Sequence, residues 1–434
     1  PTKTSTPSNV TSLAETEYRL TPPCEGVNFR KVLGERMSDR DLVQEKVSQT
    51  IQLLGEKGVD AWLTFVRETS QMQDPCMELI AGVEVTWHSA FIITSKGDRI
   101  AIVGRFDREN VELTGAYQQV IGYDESIRKP LVEILTRLNP ACIAINYSEN
   151  DPAADGLTHG MWATLFRLLE GTPFSARFIS AENVIGALRG RKTPAEIARI
   201  KAAIAMTDRI FGDLTQHLKP GQTELELRDF VRERMDAYQV EPAWALDYCP
   251  IFSAGADSPV GHSAPGPYKT SRGQLLQMDF GVKHSGFCSD IQRMWYFLDE
   301  GETQPPQQVQ RAFDAVRAAI LAAAQVLRPG ILGWEVDQVA RSSLVRAGYP
   351  AYQHATGHQL GRTAHDGSTI LGPRWERYGQ TPFGVVEAGN VFTLELGVQV
   401  PNRGYVGLEE DVVVTARGME WLTKPQTEFM LVKS

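Results

Sequence analysis

Leu275-Leu276-Gln277-Met278-Asp279-Phe280-Gly281-Val282 reads as an apolar β-strand broken by a single acid, and Gly286 to Phe297 reads as its return. With His284 and Ser285 at the centre of the turn between them, Asp279 falls directly opposite Asp290. Cross-strand partners have Cβ atoms ~4.5–5.5 Å apart, like charges so placed repel, and aspartate is itself a poor strand former. The anomaly recurs downstream. Phe392-Thr393-Leu394-Glu395-Leu396 is a second apolar strand carrying one acid, and a turn centred on Asn402 puts Glu395 opposite Glu409. Two acidic pairs in two apolar hairpins require positive charge between them, and a divalent metal supplies it.

Between the hairpins, Ala355-Thr356-Gly357-His358-Gln359-Leu360-Gly361 offers an imidazole flanked by glycines that permit close backbone approach. Asp279, Asp290, His358, Glu395 and Glu409 are therefore the candidate metal ligands. Four carboxylates and one imidazole suit two divalent ions such as Mn, Co, Fe or Zn, ~3.5–4 Å apart and sharing carboxylates.

The flanking pattern places these hairpins in a repeated frame. Thr193-Pro194-Ala195-Glu196 is a capping box with proline at the first helical position, and Thr223-Glu224-Leu225-Glu226 repeats the capping signature. Two helices thus precede the first hairpin, and two more, about Pro306 to Leu327 and Trp334 to Ala347, precede the second. Helix, helix, hairpin, twice over, predicts an α+β domain of residues 188–434 with pseudo-two-fold symmetry. In front of it, apolar runs at Ala61 to Val66, Ala90 to Thr94, Ile100 to Val103 and Cys142 to Tyr147 alternate with helical stretches near 124–138 and 157–170. Lys96-Gly97-Asp98 joins two of these runs as a hairpin turn. Residues 31–187 read as an α/β N-terminal domain, and residues 1–30, rich in Pro, Ser and Thr, as a poorly ordered tail.

Composition narrows the class. The 434 residues are 42% hydrophobic and 22% charged, which excludes a disordered or collagenous chain. A net charge of -9 argues against nucleic acid or anionic lipid as a partner. Apolar runs have strand length, short of the ~18 residues of a membrane span. The five cysteines form no CxxC pair and read as reduced thiols, and Pro1 to Val10 lacks the marks of a secretory leader. A cytoplasmic enzyme is expected.

The ligand set in its local contexts resembles the metallopeptidase family of methionine aminopeptidase, aminopeptidase P and prolidase, whose catalytic domain has the pita-bread fold. The resemblance rests on Asp279 and Asp290, Gly-His-x-x-Gly around His358, Phe-Thr-Leu-Glu ending at Glu395, and Leu-Glu-Glu-Asp-Val around Glu409. Leu188-Arg189 through Lys192, with Glu196-Ile197, is also similar to the start of that domain. The preceding α/β domain marks the creatinase–prolidase branch.

What the resemblance implies is a dinuclear-metal hydrolase cleaving the bond before proline in Xaa-Pro substrates, with manganese as first choice of metal and a homodimer as the assembly. By the same likeness His262 and His365 assist at the scissile carbonyl and Glu395 shuttles the proton. Relatives usually carry a Tyr four residues after the first glutamate and an Arg two before the second; here these are Gln399 and Gly407. Arg374, Arg377 and Tyr378 are candidates to replace them, and the arginines could pair a substrate carboxylate, which favours a dipeptidase. Aminopeptidase P action on longer peptides is the alternative. A metal-dependent hydrolase of a non-peptide C–N bond and a catalytically inactive binding protein are readings of other classes.

Overall fold

The computed structural model describes residues 39–261 and 263–433. The tail expected over 1–30, Cys24 and His262 lie outside the described residues. Asp39–Ser434 forms one compact unit.

Its front part is a three-layer sandwich around a six-stranded mixed sheet. Ala61–Val66 lies at the sheet's centre, antiparallel to Ser89–Thr94 and parallel to Ile143–Ile145. The strand's period of two sends alternate residues to opposite layers. Trp62 and Val66 join a core with Val43, Val47 and Leu54 of the helix Asp39–Lys57. Leu63 and Phe65 join another with Leu131, Ile134 and Leu135 of the helix Arg128–Leu138. The Lys96–Asp98 turn is present, with Gly97 at φ +98°, a conformation that glycine adopts without strain.

The helix Glu182–Gly190 leads through a short link into Pro194–His217, whose capping box of Thr193 and Glu196 forms as its sequence predicts. At that junction the buried ammonium of Lys46, from the first described helix, lies 2.8 Å from Glu196 Oε2 and donates to the Leu188 carbonyl at 2.7 Å. Burial lowers the Lys46 pKa against the pull of Glu196. A cation is retained inside the protein because its partners are all in place.

The C-terminal part repeats helix, helix, hairpin. Pro194–His217 and Glu224–Tyr238 precede the first set of strands, and Gln307–Val326 and Gly333–Arg346 precede the second. The main strands form one sheet in the order Val391–Val400, Gly404–Thr415, Ile291–Phe297, Leu275–Phe280, Ile251–Ala254. Leu394, Leu396 and Val398 pack against Phe313, Val316 and Ile320 of the long helix on one face. By the same alternation Thr393, Glu395 and Gly397 turn to the other face.

The second hairpin has the expected register, with Glu395 paired to Glu409 and Asn402 in the turn at φ +59°. The first departs from expectation. Its turn is centred on Ser285 and Gly286, both at positive φ, so Asp279 pairs with Gln292 and not with Asp290. Two successive positive-φ residues give the turn twist that suits a tight hairpin. The slip is two residues, and because side chains alternate with period two, Asp290 keeps the face assigned to it.

Candidate active site

Register brings the acids together. Across the sheet, Ile251 pairs with Asp279, Asp279 with Gln292, Gln292 with Glu409, and Glu409 with Glu395. Five strands thus contribute one residue each to a single row. Asp290 precedes Gln292 by two and joins the row's face from the strand end. His358 enters from a short strand, Gly357–His358, packed over the second hairpin. A Cβ at Gly357 would lie 1.9 Å from the Thr393 carbonyl oxygen, so only glycine lets the imidazole's backbone approach so closely.

His358 Nε2 lies 3.7 Å from Asp290 Oδ2, 3.8 Å from Glu395 Oε1 and 3.9 Å from Glu409 Oε1. Its Nδ1 is 3.3 Å from the Gln359 carbonyl oxygen; a proton there leaves the Nε2 lone pair aimed at the acids. One ligand atom from each of Asp290, His358 and Glu409 falls within 4.8 Å of the others. A cation ~2.0–2.2 Å from its ligands fits among atoms so spaced.

Electrostatics point the same way. Burial pushes the Asp279 carboxyl up to about 7 and that of Glu395, with Asp279 nearby, up to about 8. Asp290 and Glu409 rise well above the carboxylate range, by burial and then by the neighbouring acids. Asp279 Oδ1 is buried without a hydrogen-bond partner. Four acids that resist ionisation and an orphaned carboxylate oxygen describe a donor set that fits divalent metal.

Around this centre is a cavity of about 500 Å³. Trp244, Tyr248, Ile251 and Ala364 line it together with His365 and the acids. The His365 ring meets that of His358 edge to face, centroids 4.2 Å apart. The segment bearing His365 is clamped by the next residue. Asp366 is buried between Arg189 and Lys192, with Lys192 Nζ 3.1 Å from Oδ2, and Oδ2 also accepts from Arg362 N. Burial opposes ionisation of Asp366, but Lys192 and Arg189 outweigh it and hold the carboxyl below the usual range. Buried Glu224 accepts hydrogen bonds from Ala254 N, Ser258 Oγ and Gly266 N.

Arg374, Arg377 and Tyr378 are not brought into this cavity. The Arg374 guanidinium lies 4.2 Å from the centre of the Trp334 ring, and Arg377 stacks over Trp375 and Tyr378 while donating to the Gln353 carbonyl. Aromatic faces and a carbonyl hold these cations where they are. Gly407 and Gln399 lie along the strand pair beside Tyr405, whose hydroxyl is bonded to that of Tyr352. The sequence reading missed Gln292, Asp366, Glu224 and the aromatic wall. Gln292 was the most accessible of these, since it follows Asp290 by two on a strand and must share its face.

A sheet-borne row of acids with one apical imidazole, opening on a peptide-sized cavity, defines a metal-dependent peptidase. The comparisons agree. The profile of Metallopeptidase family M24 matches residues 198–416, and the chain belongs to that family. Uncharacterized peptidases of Staphylococcus aureus (strain USA300) and Staphylococcus saprophyticus are each 27% identical to it, covering 87% and 86% of this chain and 98% and 97% of their own. Among solved structures, an Xaa-Pro dipeptidase from Bacillus anthracis is similar with a TM-score of 0.68 at 22% identity, covering 90% of this chain and 100% of that one. The prolidase from Pyrococcus horikoshii OT3 is similar at 0.63 and 23% identity, covering 89% and 99%. An X-Pro aminopeptidase from Thermotoga maritima MSB8 is similar at 0.64 and 22%, again over 89% and 99%. The pita-bread fold, with an α/β part in front, is thereby common to all four chains. Among the described residues no helix is long and apolar enough to cross a membrane.

Proposed function

We propose that the protein hydrolyses the peptide bond before proline in Xaa-Pro substrates, with two divalent cations, manganese first among them, held by Asp279, Asp290, His358, Glu395 and Glu409. The observation that carries this reading is the shared cavity. Trp244, Tyr248 and Ile251 offer a largely apolar wall suited to a pyrrolidine ring, beside groups equipped to cleave an amide. Residues 31–187 are the front domain in this reading, and 188–434 are the catalytic domain.

When bound, the cations supply Lewis acidity toward the carbonyl and lower the pKa of water. The chain's own residues do the rest. His365, and His262 by its place in the sequence, donate hydrogen bonds to the carbonyl oxygen as it gains charge. The nitrogen of a prolyl amide has no N–H and must gain a proton to leave. Glu395 lies within the row, where its carboxylate can take a proton from the attacking water and pass it to that nitrogen.

The cavity of about 500 Å³ accommodates a dipeptide, which keeps the dipeptidase reading first. Aminopeptidase action on longer peptides is favoured by a different observation: the arginines expected to pair a dipeptide's carboxylate are engaged with Trp334 and Trp375. A substrate series decides between them. Ala-Pro, Ala-Pro-Gly-Gly and Ala-Ala are assayed under Mn²⁺, Co²⁺ and Zn²⁺. Cleavage of Ala-Pro alone is expected; cleavage only of the tetrapeptide establishes the second reading, and equal cleavage of Ala-Ala overturns both. Cys76, Cys142, Cys249 and Cys288 are all free thiols, which supports residence in the cytoplasm. A homodimer completes the proposal, with light scattering as its measurement.

A further inference from the structure

Gln292 stands at the centre of the acid row, between Asp279 on one neighbouring strand and Glu409 on the other. A neutral residue at this position divides what would otherwise be an unbroken line of carboxylates. Its amide nitrogen donates to Glu409 Oε2 at 2.9 Å and reaches Glu395 Oε2 at 3.4 Å. Ionised, as ligands to a cation must be, these carboxylates only accept, so the nitrogen faces them and the amide oxygen faces away. That oxygen accepts from Gln277 Nε2 at 3.0 Å, which fixes the amide's orientation from behind. The backbone makes room for it. A Cβ at Gly407 would lie 2.6 Å from Gln292 Oε1, so the residue that leaves the strand bare is the one that admits the amide.

The two glutamates are sorted by this contact. Each gives its Oε2 to Gln292, and each turns its Oε1 to within 3.9 Å of His358 Nε2. We propose that Gln292 is a positioning residue for the metal centre: by holding one oxygen of Glu395 and one of Glu409, it aims the other oxygen of each at the cation beside His358, with Gln277 as its support. The proposal rests on the reading of Glu395 and Glu409 as metal ligands.

The test uses the metal-free full-length protein titrated with Mn²⁺ by calorimetry and with Co²⁺ by visible absorption, with no substrate present. Gln292→Met keeps the side chain's length and volume but removes its hydrogen bonds to both glutamates and from Gln277. Its Mn²⁺ affinity is expected to fall about 10–100-fold, as when an outer partner of a ligand is removed, and the Co²⁺ bands are expected to shift. If Gln292 only fills space, the methionine binds Mn²⁺ as the wild type does, and that result overturns the proposal. Should Gln292→Met not fold, as judged by circular dichroism, Gln277→Met carries the test by releasing the amide from behind. Weaker Mn²⁺ binding supports the proposal, and unchanged binding overturns it. A wild-type chain that binds no Mn²⁺ and no Co²⁺ overturns the ligand reading itself, an outcome separate from either.

Discussion

Asp290 lies where the burden of charge is greatest, with Glu409, Asp279, Asp411 and Glu395 all raising its proton affinity beyond the effect of burial. Asp290→Ala removes a proposed ligand from the tight Asp290–His358–Glu409 cluster, and we expect loss of bound metal and of turnover, read by metal analysis and a peptide assay. His365→Ala separates binding from chemistry. Metal content is expected to stay, while kcat falls ~10²–10³-fold, the size typical of a lost oxyanion donor. The buried acids also set a pH dependence with a definite sign. Asp279 and Glu395 hold their protons up to about 7 and 8 in the folded metal-free protein, above the ordinary carboxylate range they take when unfolded. The folded state therefore binds more protons between those limits, and the contribution of these groups to stability falls as pH rises from about 4 to 8. Denaturant unfolding of the metal-free protein at pH 5 and pH 8 measures the slope. Saturating Mn²⁺, which displaces those protons, is expected to flatten it.

At the scale of elements, the two hairpins differ in how much of them can be read from sequence. Val391–Val400 and Gly404–Thr415 form a long, uninterrupted ladder, so its turn at Asn402 fixes every pair, Glu395 with Glu409 among them. The first hairpin is broken near Gly281 and Ser289, and its tight turn lies one residue later than the polar cluster suggests. Period-two alternation rescued the chemistry because the resulting slip was even. Interactions that join distant segments left no such periodic mark. Asp366 meets Arg189 and Lys192 across more than a hundred and seventy residues, and nothing in its neighbourhood announces the pairing. Arg374 and Arg377 show the converse: charge in the sequence between two site residues does not say which aromatic ring will claim it. Asp366→Ala strands two buried cations, so a loss of ~3–5 kcal/mol in unfolding free energy is expected, together with a weakened hold on the His365 segment.

Across the whole molecule, the front sandwich, the capped helices and the sheet that carries the acid row are joined through buried polar contacts such as Lys46 with Glu196. On the proposed ligand reading the folded sheet binds metal and the open chain has no comparable site, so Mn²⁺ at a hundredfold excess over its dissociation constant is expected to add about 2.7 kcal/mol to unfolding free energy. The row of acids also has a temporal side. Asp279 and Asp290 leave the ribosome more than a hundred residues before Glu395 and Glu409 are made. A chain halted before the last hairpin holds at most Asp279, Asp290 and His358, three of the five proposed ligands. On the proposed ligand reading, the centre cannot be whole until the strand bearing Glu409 has been made and lies between its neighbours.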